Sequence, residues 1–387
     1  MNHSSQPANS RANILIVDDT PDNLRLLSQI LTEHHYQVRA VTNGERALES
    51  VHLLPPDLIF LDIKMPGIDG FEVCRQLKAD AAVRNIPVLF VSALDDVSDK
   101  VKAFTLGGVD YITKPFQAEE VMARVETHLA LRDLQKQLEN ANRKMALELA
   151  LAGQVQASFL PDKLPLIPGW QFAVTLLPAR ETSGDFFDTF LLPNGRLGIL
   201  VADVVDKGVS AALFMSLTYA LFRTHAQVYT QEPARVFQAI NEHILHNTHA
   251  NQFVTAFYAI LDPQTGQMVY SNAGHCPPLL AGSDRQQPPR WLMQTGIPLG
   301  LLEDHTWTQG ALQMSPQDVL VLYTDGVIEA ENGAGAFLGR ERLLAWVQAR
   351  QGNTARQIQE DLIAAVHRFV GDWHLLDDLV LLVALRA

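Results

Sequence analysis

Cysteine is nearly absent: the 387-residue chain holds two, Cys74 and Cys276. Two thiols so far apart in sequence cannot form a disulfide framework, and a reduced, cytoplasmic setting is expected. Basic residues are outnumbered, 30 against 43 acidic, giving a net charge of -13. That balance excludes the clustered positive stripe of a nucleic-acid surface. Long apolar runs are missing too. The uncharged, largely apolar stretch of residues 208–222 contains Ser and Thr and is too short to span a bilayer, so it reads as a buried helix and no membrane association is expected. Residues 1–13 are polar and lack the apolar core of a signal peptide. No internal repeat or low-complexity tract is present. What remains is a composition of 47% hydrophobic and 19% charged residues, on a chain long enough for two domains and a connector.

From Ala12 to about Gln117, strand-like apolar runs alternate with helical patterns, the signature of a parallel α/β sheet. Strands are predicted near 13–19, 36–41, 57–61, 87–92 and 109–112, with helices near 22–33, 44–53, 69–79, 97–106 and from 118 onward. Such a doubly wound sheet binds ligands beyond the carboxyl ends of its strands, where strand order reverses. The strand ends here carry Asp18-Asp19, Asp62, Ser92 and Lys114. Taken singly, Asp18 and Asp19 fit a helix cap and Asp62 fits the Met65-Pro66-Gly67 turn. Together they deliver three carboxylates, a hydroxyl and an ammonium to one rim. Clustered carboxylates repel one another unless a cation is present, and hard oxygen ligands favour magnesium. One carboxylate could then act as a nucleophile toward phosphorus.

On these residues the segment 12–130 resembles a two-component response-regulator receiver domain. The resemblance makes Asp62 the phosphoacceptor, and Asp18 and Asp19 the acidic pair that holds Mg2+ with Asp62 and the Lys64 carbonyl. It makes Ser92 the switch hydroxyl, Lys114 the lysine that offsets phosphoryl charge, and Tyr111 the rotating aromatic. Lys114-Pro115 is a candidate cis peptide.

Residues 118 to about 160 read as one long helix, free of Gly and Pro until Gly153. Leu131, Leu134, Leu138, Ala141 and Met145 keep the 3-4 spacing of a coiled-coil seam, and the run continues through Leu149, Ala152 and Val155. Consecutive four-residue steps at 141–145–149 resemble a stutter. The seam suits either a parallel dimer or an amphipathic helix packed on its own domains; the dimer is the preferred expectation. Pro161, Pro165 and Pro168 end the helix and open a new domain.

Beyond Trp170, strands are predicted at 170–177, 184–192, 197–203, 252–262, 267–273, 318–324 and 378–385, with helices near 209–228, 233–247, 339–350 and 354–370. That order suggests a sandwich with helices outside it. Asn194-Gly195 marks a hairpin. A two-residue turn would pair 186 with 203, and a three-residue loop would set Asp185 opposite Asp203. Asp203 and Asp325 follow apolar strands, and Asp377-Asp378 precede one. Each aspartate alone fits a turn or a surface loop. Four at strand edges, with no His or Cys ligand pattern, favour an oxygen-ligated pair of Mg2+ or Mn2+ ions. Such a pair would share a hydroxide and support in-line phosphoryl transfer to water.

The motifs Ser183-Gly184-Asp185-Phe186-Phe187-Asp188, Ala202-Asp203-Val204-Val205-Asp206-Lys207-Gly208, Asn272-Ala273-Gly274-His275, Tyr323-Thr324-Asp325-Gly326 and Asp377-Asp378-Leu379-Val380 carry a second resemblance. Residues 150–387 are similar to the SpoIIE-type, or RsbU-type, bacterial branch of the metal-dependent PPM phosphatases. That resemblance implies metal ligation by Asp185, Asp203, Asp325 and Asp377, with Asp203 bridging and the Val204 carbonyl contributing. Two departures stand out: Ser183 replaces a usual first glycine, and Asp206 replaces the glycine before Lys207-Gly208. His275 reads as structural rather than as a general acid, and no phosphate-holding arginine of the eukaryotic kind can be placed.

The domains expected are thus a disordered tail 1–11, a receiver 12–130, a helical linker 131–160 and a phosphatase domain 161–387. The two resemblances together imply a response regulator whose Asp62, phosphorylated by a histidine kinase or phosphotransfer protein, controls a protein serine/threonine phosphatase. They imply a phosphoserine STAS anti-anti-sigma-like substrate in partner switching. The alternative is a non-catalytic adaptor that binds or sequesters a regulator through a phosphatase-like domain.

Overall fold

A computed structural model of the chain describes residues 11–93, 97–247, 252–283, 288–371 and 375–387. The tail expected at 1–11 lies outside the described residues apart from Arg11, which opens the first strand. The chain divides into two compact units, one up to Lys144 and the other Met145–Ala387.

The first unit runs β1 (Arg11–Val17), α1 (Pro21–Glu33), β2 (Tyr36–Val41), α2 (Gly44–Leu53), β3 (Leu58–Asp62), α3 (Gly70–Ala79), β4 (Val88–Ala93), α4 (Val97–Thr105), β5 (Asp110–Lys114) and the start of α5 (Ala118–Ala157). Its strands form one parallel sheet in the order β2-β1-β3-β4-β5. Leu15, Val17, Ile59 and Leu61 pack into one face, while Ile14, Ile16, Leu58 and Phe60 pack into the other. Burial on both faces is why these strands read as unbroken apolar runs. Asn43 and Asp69 start α2 and α3 by accepting hydrogen bonds from the backbone N–H groups of Arg46 and Glu72. Strand order reverses between β1 and β3, so Asp18 and Asp62 emerge side by side at the switch point.

The segment expected as a linker at 131–160 begins within α5, which runs on to Ala157. α5 is unbroken through the division between the units, and its later turns belong to the second.

The second unit continues with β6 (Trp170–Leu177), β7 (Asp185–Leu191), β8 (Leu197–Val204), α6 (Val209–Val228), α7 (Pro233–Asn247), β9 (Val254–Leu261), β10 (Gln267–Ala273), β11 (Leu279–Ala281), β12 (Arg290–Trp291), β13 (Gly310–Gln313), β14 (Val319–Tyr323), α8 (Asp325–Ile328), α9 (Gly339–Ala349), α10 (Ala355–Val370) and β15 (Leu379–Arg386). Two antiparallel sheets, β13-β10-β9-β8-β7 and β12-β11-β14-β15-β6, face each other. Leu197, Ile199, Val201, Val380 and Leu382 fill the layer between them. The opposite face of β8, with Leu200, Ala202 and Val204, packs on α6 and α7 through Met215, Phe222 and Phe237. Leu381 and Val383 of β15 pack on α9 and α10 through Leu343, Ile358 and Leu362. The sandwich with outer helices is as the strand and helix order predicts. The short β11, β12, β13 and α8 were not foreseen: two to four residues carry too little periodicity to read. Among the described residues, no helix is long and apolar enough to cross a membrane.

The β7–β8 hairpin closes with a three-residue loop. Leu192 N–H donates to the Arg196 carbonyl at 2.8 Å, and the ladder runs from Leu191 opposite Leu197 to Asp185 opposite Asp203. Of the two registers open to the sequence, this one faces the two carboxylates directly.

Candidate functional site

At the end of β1, Asp18 is buried while Asp19 faces solvent; Asp62, ending β3, is buried as well. One carboxylate oxygen from each lies within 4.8 Å of the others. Lys114, at the end of β5, sets its Nζ 2.8 Å from Asp18 Oδ2 and 2.9 Å from Asp62 Oδ2. Asn23 Nδ2 donates to both Asp18 oxygens at 3.0 and 3.1 Å, and Lys64 N–H reaches Asp62 Oδ1 at 3.4 Å. Burial raises the Asp62 pKa; Lys114 opposes that and the Asp18 charge adds to it. Burial alone would lower Lys114, but its bonds to Asp18 and Asp62 carry it upward. Ser92 on β4 is buried beside Thr113 of β5. Tyr111 packs edge-on against Phe104 at 6.1 Å, with Lys100 Nζ 4.5 Å from its ring. The Lys114-Pro115 peptide is cis. An all-oxygen trio with one neutralising lysine fits a hard divalent ion such as Mg2+.

The second cluster is built from both sheets. Asp185 and Asp203 stand opposite each other on β7 and β8; Asp325 opens α8 after β14, and Asp377 precedes β15. Gly326 lets these last two strands meet: a Cβ there would fall 1.9 Å from the Asp378 carbonyl oxygen. Burial and the charge of Asp203 hold Asp185 well above the carboxylate range. Burial, then Asp325, push Asp203 up to about 7, and burial with Asp377 pushes Asp325 to about 6. Asp185 Oδ2 is buried without a hydrogen-bond partner. Lys207 Nζ lies 2.9 Å from Asp377 Oδ1. Buried acids that resist ionisation, one of them with an orphaned oxygen, fit a cation-binding centre made of oxygens. Among the described residues, no three carboxylates here converge as tightly as in the first unit.

The surrounding groups resolve several points of the sequence. Asp378 is not aimed like Asp377: its Oδ1 accepts from Ala179 N–H and its Oδ2 from Gly184 N–H, both at 2.8 Å. Ser183 Oγ accepts from Asp185 N–H at 3.1 Å, a bond glycine could not make. Asp206, where the resemblance expects glycine, holds a left-handed backbone that favours glycine, with φ at +91°. Its carboxylate is occupied by Lys207 N–H at 2.9 Å and Ser210 Oγ at 3.2 Å. His275 is buried, its Nδ1 2.7 Å from Thr255 Oγ1, and burial lowers its pKa to about 4. Thr255 in turn pairs with Asp203 in the β8–β9 ladder. The neighbouring Asp188 does not join the cluster, because Arg223 grips it at 2.5 and 2.9 Å. The Val204 carbonyl faces Gly184, 3.0 Å from where a Cβ would stand.

Two groups escaped sequence reasoning. Thr324 Oγ1 accepts from Val380 N–H at 2.8 Å, locking β14 to β15 behind Asp325. Gln156, near the end of α5, is buried against Ser183. A lone glutamine in an exposed helix carries no signal before the fold is known.

Family models match both units. Residues 193–387, half of the chain, match "Stage II sporulation protein E (SpoIIE)", and residues 14–126 match "Response regulator receiver domain". The first span includes Asp203, Asp325 and Asp377; Asp185 lies just ahead of it. The chain is 27% identical to the phosphoserine phosphatase RsbU of Bacillus subtilis over 261 residues, covering 67% of this chain and 74% of that protein. It is 33% identical to protein IcfG of Synechocystis over 233 residues, covering 52% of this chain and 36% of that one. Against the response regulator PleD of Caulobacter vibrioides, identity is 38% over 147 residues, or 37% of this chain and 32% of PleD. The chain thus spans only about a third of the length of IcfG and PleD. Among solved structures, the SiaA-PP2C domain of Pseudomonas aeruginosa shares the fold at TM-score 0.57 and 18% identity, covering 64% of this chain and 98% of that one. The RsbU and RsbW domains of Rv1364c from Mycobacterium tuberculosis align at TM-score 0.50 and 27% identity, covering 58% and 61% of the two chains.

Proposed function

The chain belongs to the SpoIIE family and carries a response-regulator receiver domain ahead of its PPM-type phosphatase domain, and on that premise we propose a phosphorylation-controlled, metal-dependent protein serine/threonine phosphatase. The observation that carries the reading is the buried, oxygen-only group formed by Asp185 opposite Asp203, with Asp325 and Asp377 close enough to raise its pKa values. These four side chains, with the Val204 carbonyl, would hold two Mn2+ or Mg2+ ions. When bound, the ions supply Lewis acidity and an activated water for transfer of a phosphoryl group. The protein's part is positional: the β7–β8 ladder fixes Asp185 and Asp203, and Thr324 and Asp378 fix the strands that present Asp325 and Asp377.

In the receiver, Asp18, Asp19, Asp62 and the Lys64 carbonyl would hold Mg2+. An Asp62 carboxylate oxygen attacks the phosphorus of a phosphohistidine; the P–N bond breaks and an acyl phosphate forms. Lys114, already 2.9 Å from Asp62, offsets the added charge, and the Ser92 hydroxyl can donate to the new phosphoryl oxygens. Tyr111 would rotate with that change. The partner donating the phosphoryl group is a histidine kinase or phosphotransfer protein. The substrate of the output domain is a phosphoserine STAS protein, consistent with likeness to a phosphoserine phosphatase. The setting is cytoplasmic. Domain limits of 12–130, 131–160 and 161–387 describe this division of labour.

Leu131, Leu134, Leu138 and Met145 all stand exposed on α5. Apolar residues at that spacing call for a second copy of the helix, and we assign them to a parallel homodimer seam. The test is Mn2+-dependent phosphate release from a phosphoserine STAS protein, comparing wild type with Asp203→Ala, with and without a small phosphodonor. Loss in the variant and stimulation by the donor support the reading. Absence of turnover from a folded, metal-supplied wild type would leave the adaptor function instead.

A further inference from the structure

The last turns of α5 meet the rest of the second unit through a buried polar contact. Gln156 is 6% exposed, whereas Leu151 and Val155 beside it are both 61% exposed. Its amide forms a two-pronged clasp on one residue: Nε2 donates to the Ser183 carbonyl at 2.5 Å, and Oε1 accepts from Ser183 N–H at 3.0 Å. One turn earlier Gly153 closes against the same loop ahead of β7; a Cβ there would fall 1.9 Å from the Glu181 carbonyl oxygen. Burying a primary amide costs free energy unless both its halves are bonded. Here both are bonded to the backbone two residues ahead of Asp185. From the other side, Asp378 holds Gly184 N–H, and Ser183 Oγ holds Asp185 N–H. The peptide leading into Asp185 is therefore fixed from β15 and from α5 at once.

We propose that Gln156 is a positioning residue for the output metal centre, setting through the Ser183 backbone the height at which Asp185 meets Asp203. The inference rests on Asp185 being a metal ligand. It gives α5 a direct mechanical hold on that ligand: a helix that shifts or turns at Gln156 moves the Ser183 peptide, and Asp185 with it. Groups that orient ligands from behind are typically worth about 10–100-fold in metal affinity.

The test uses the full chain carrying Asp19→Asn and Asp62→Asn, so that the receiver takes up no ion, titrated calorimetrically with Mn2+. Gln156→Met keeps the volume and removes both bonds; it is expected to weaken Mn2+ binding by about 10-fold or more. It should lower kcat while leaving KM for the phosphoprotein within about twofold, as expected for a change behind the ligand rather than in the substrate groove. Gln156→Glu supplies the discriminating readout. A neutral carboxylic acid has one acceptor and one donor and can remake the clasp, whereas a carboxylate cannot. Its Mn2+ affinity relative to the unsubstituted glutamine protein should therefore recover as pH falls from 8 to 6. Leu151→Ala, on the exposed side of the helix, should leave affinity unchanged.

Equal affinities for Met and Gln at position 156, a pH-independent deficit for Glu, or an equal loss in Leu151→Ala would overturn the inference with the metal centre left standing. Failure of the glutamine protein itself to take up Mn2+ would overturn the centre and the inference together.

Discussion

Replacing Asp203 by asparagine should make the metal-free protein more stable while ending its turnover. Burial and the neighbouring Asp325 hold the Asp203 pKa at about 7, against 3.8 for an unperturbed aspartate. Three units at about 1.4 kcal/mol each set an upper bound of roughly 4 kcal/mol. Relaxation around the acids reduces this, so about 2–4 kcal/mol is expected. The direction follows from proton binding. Between about pH 4 and 7 the folded protein keeps a proton on Asp203 that the unfolded chain has lost, so stability falls as pH rises through that window. The penalty is complete above pH 7 and absent below pH 4, and asparagine never incurs it. His275 works the other way, since burial lowers it to about 4 and its contribution grows from there to pH 6.5. It is present in both proteins and cancels in their difference. The assay is convenient because all five tryptophans, Trp170, Trp291, Trp307, Trp346 and Trp373, follow Met145 in the sequence, where the second unit begins. Tryptophan fluorescence during urea unfolding in EDTA therefore follows that unit alone. Asp203→Asn should exceed wild type at pH 8 and match it near pH 3.5. Equal stabilities at pH 8, or a variant destabilised at both pH values, would refute the account of the buried acids.

Other outcomes follow from single residues. Asp62→Asn should abolish labelling by a small phosphodonor, read by phosphate-affinity electrophoresis; persistent labelling would move the acceptor elsewhere. Leu134→Glu with Leu138→Glu should convert a dimer to monomer in sedimentation without moving the tryptophan unfolding midpoint, because both leucines are exposed within their own chain. Gln317 is exposed and holds φ at +69°, with its N–H bonded to the Arg386 carbonyl. Gln317→Gly keeps that bond and relieves the left-handed strain, so a gain of about 0.5–1 kcal/mol is expected in urea unfolding.

Much of this was legible in the sequence because two strong patterns coincide with chemistry. Apolar strands ending in Asp18, Asp62, Ser92 and Lys114 reveal both the sheet and its rim. The second unit was harder. Its aspartates sit in ordinary-looking turns, and only the hairpin arithmetic at Asn194-Gly195 pairs two of them, leaving the register between two choices. Asp206 illustrates a different limit: sequence shows a departure from glycine, but not that the aspartate holds a left-handed φ and turns its carboxylate toward Lys207 and Ser210. Gln156 lies beyond sequence altogether, since its partners are backbone atoms 27 residues away.

The closing loop of the β7–β8 hairpin has a bearing on which inherited changes the protein can survive. Asp185 through Phe190 are all buried, so alternation of polarity does little to hold β7 in register. The loop length does that, from six residue steps away, on the order of 20 Å. A substitution at exposed Pro193 would be nearly silent, whereas Gly195 holds φ at +76° and Asn194 accepts from Arg196 N–H. Loss of one residue there is another matter: a turn that keeps three residues by drawing in Arg196 would pair Leu192 with Leu197 and present Phe186 to Asp203. A deletion at the surface would then read, at the far end of the hairpin, as the erasure of a carboxylate that was never mutated.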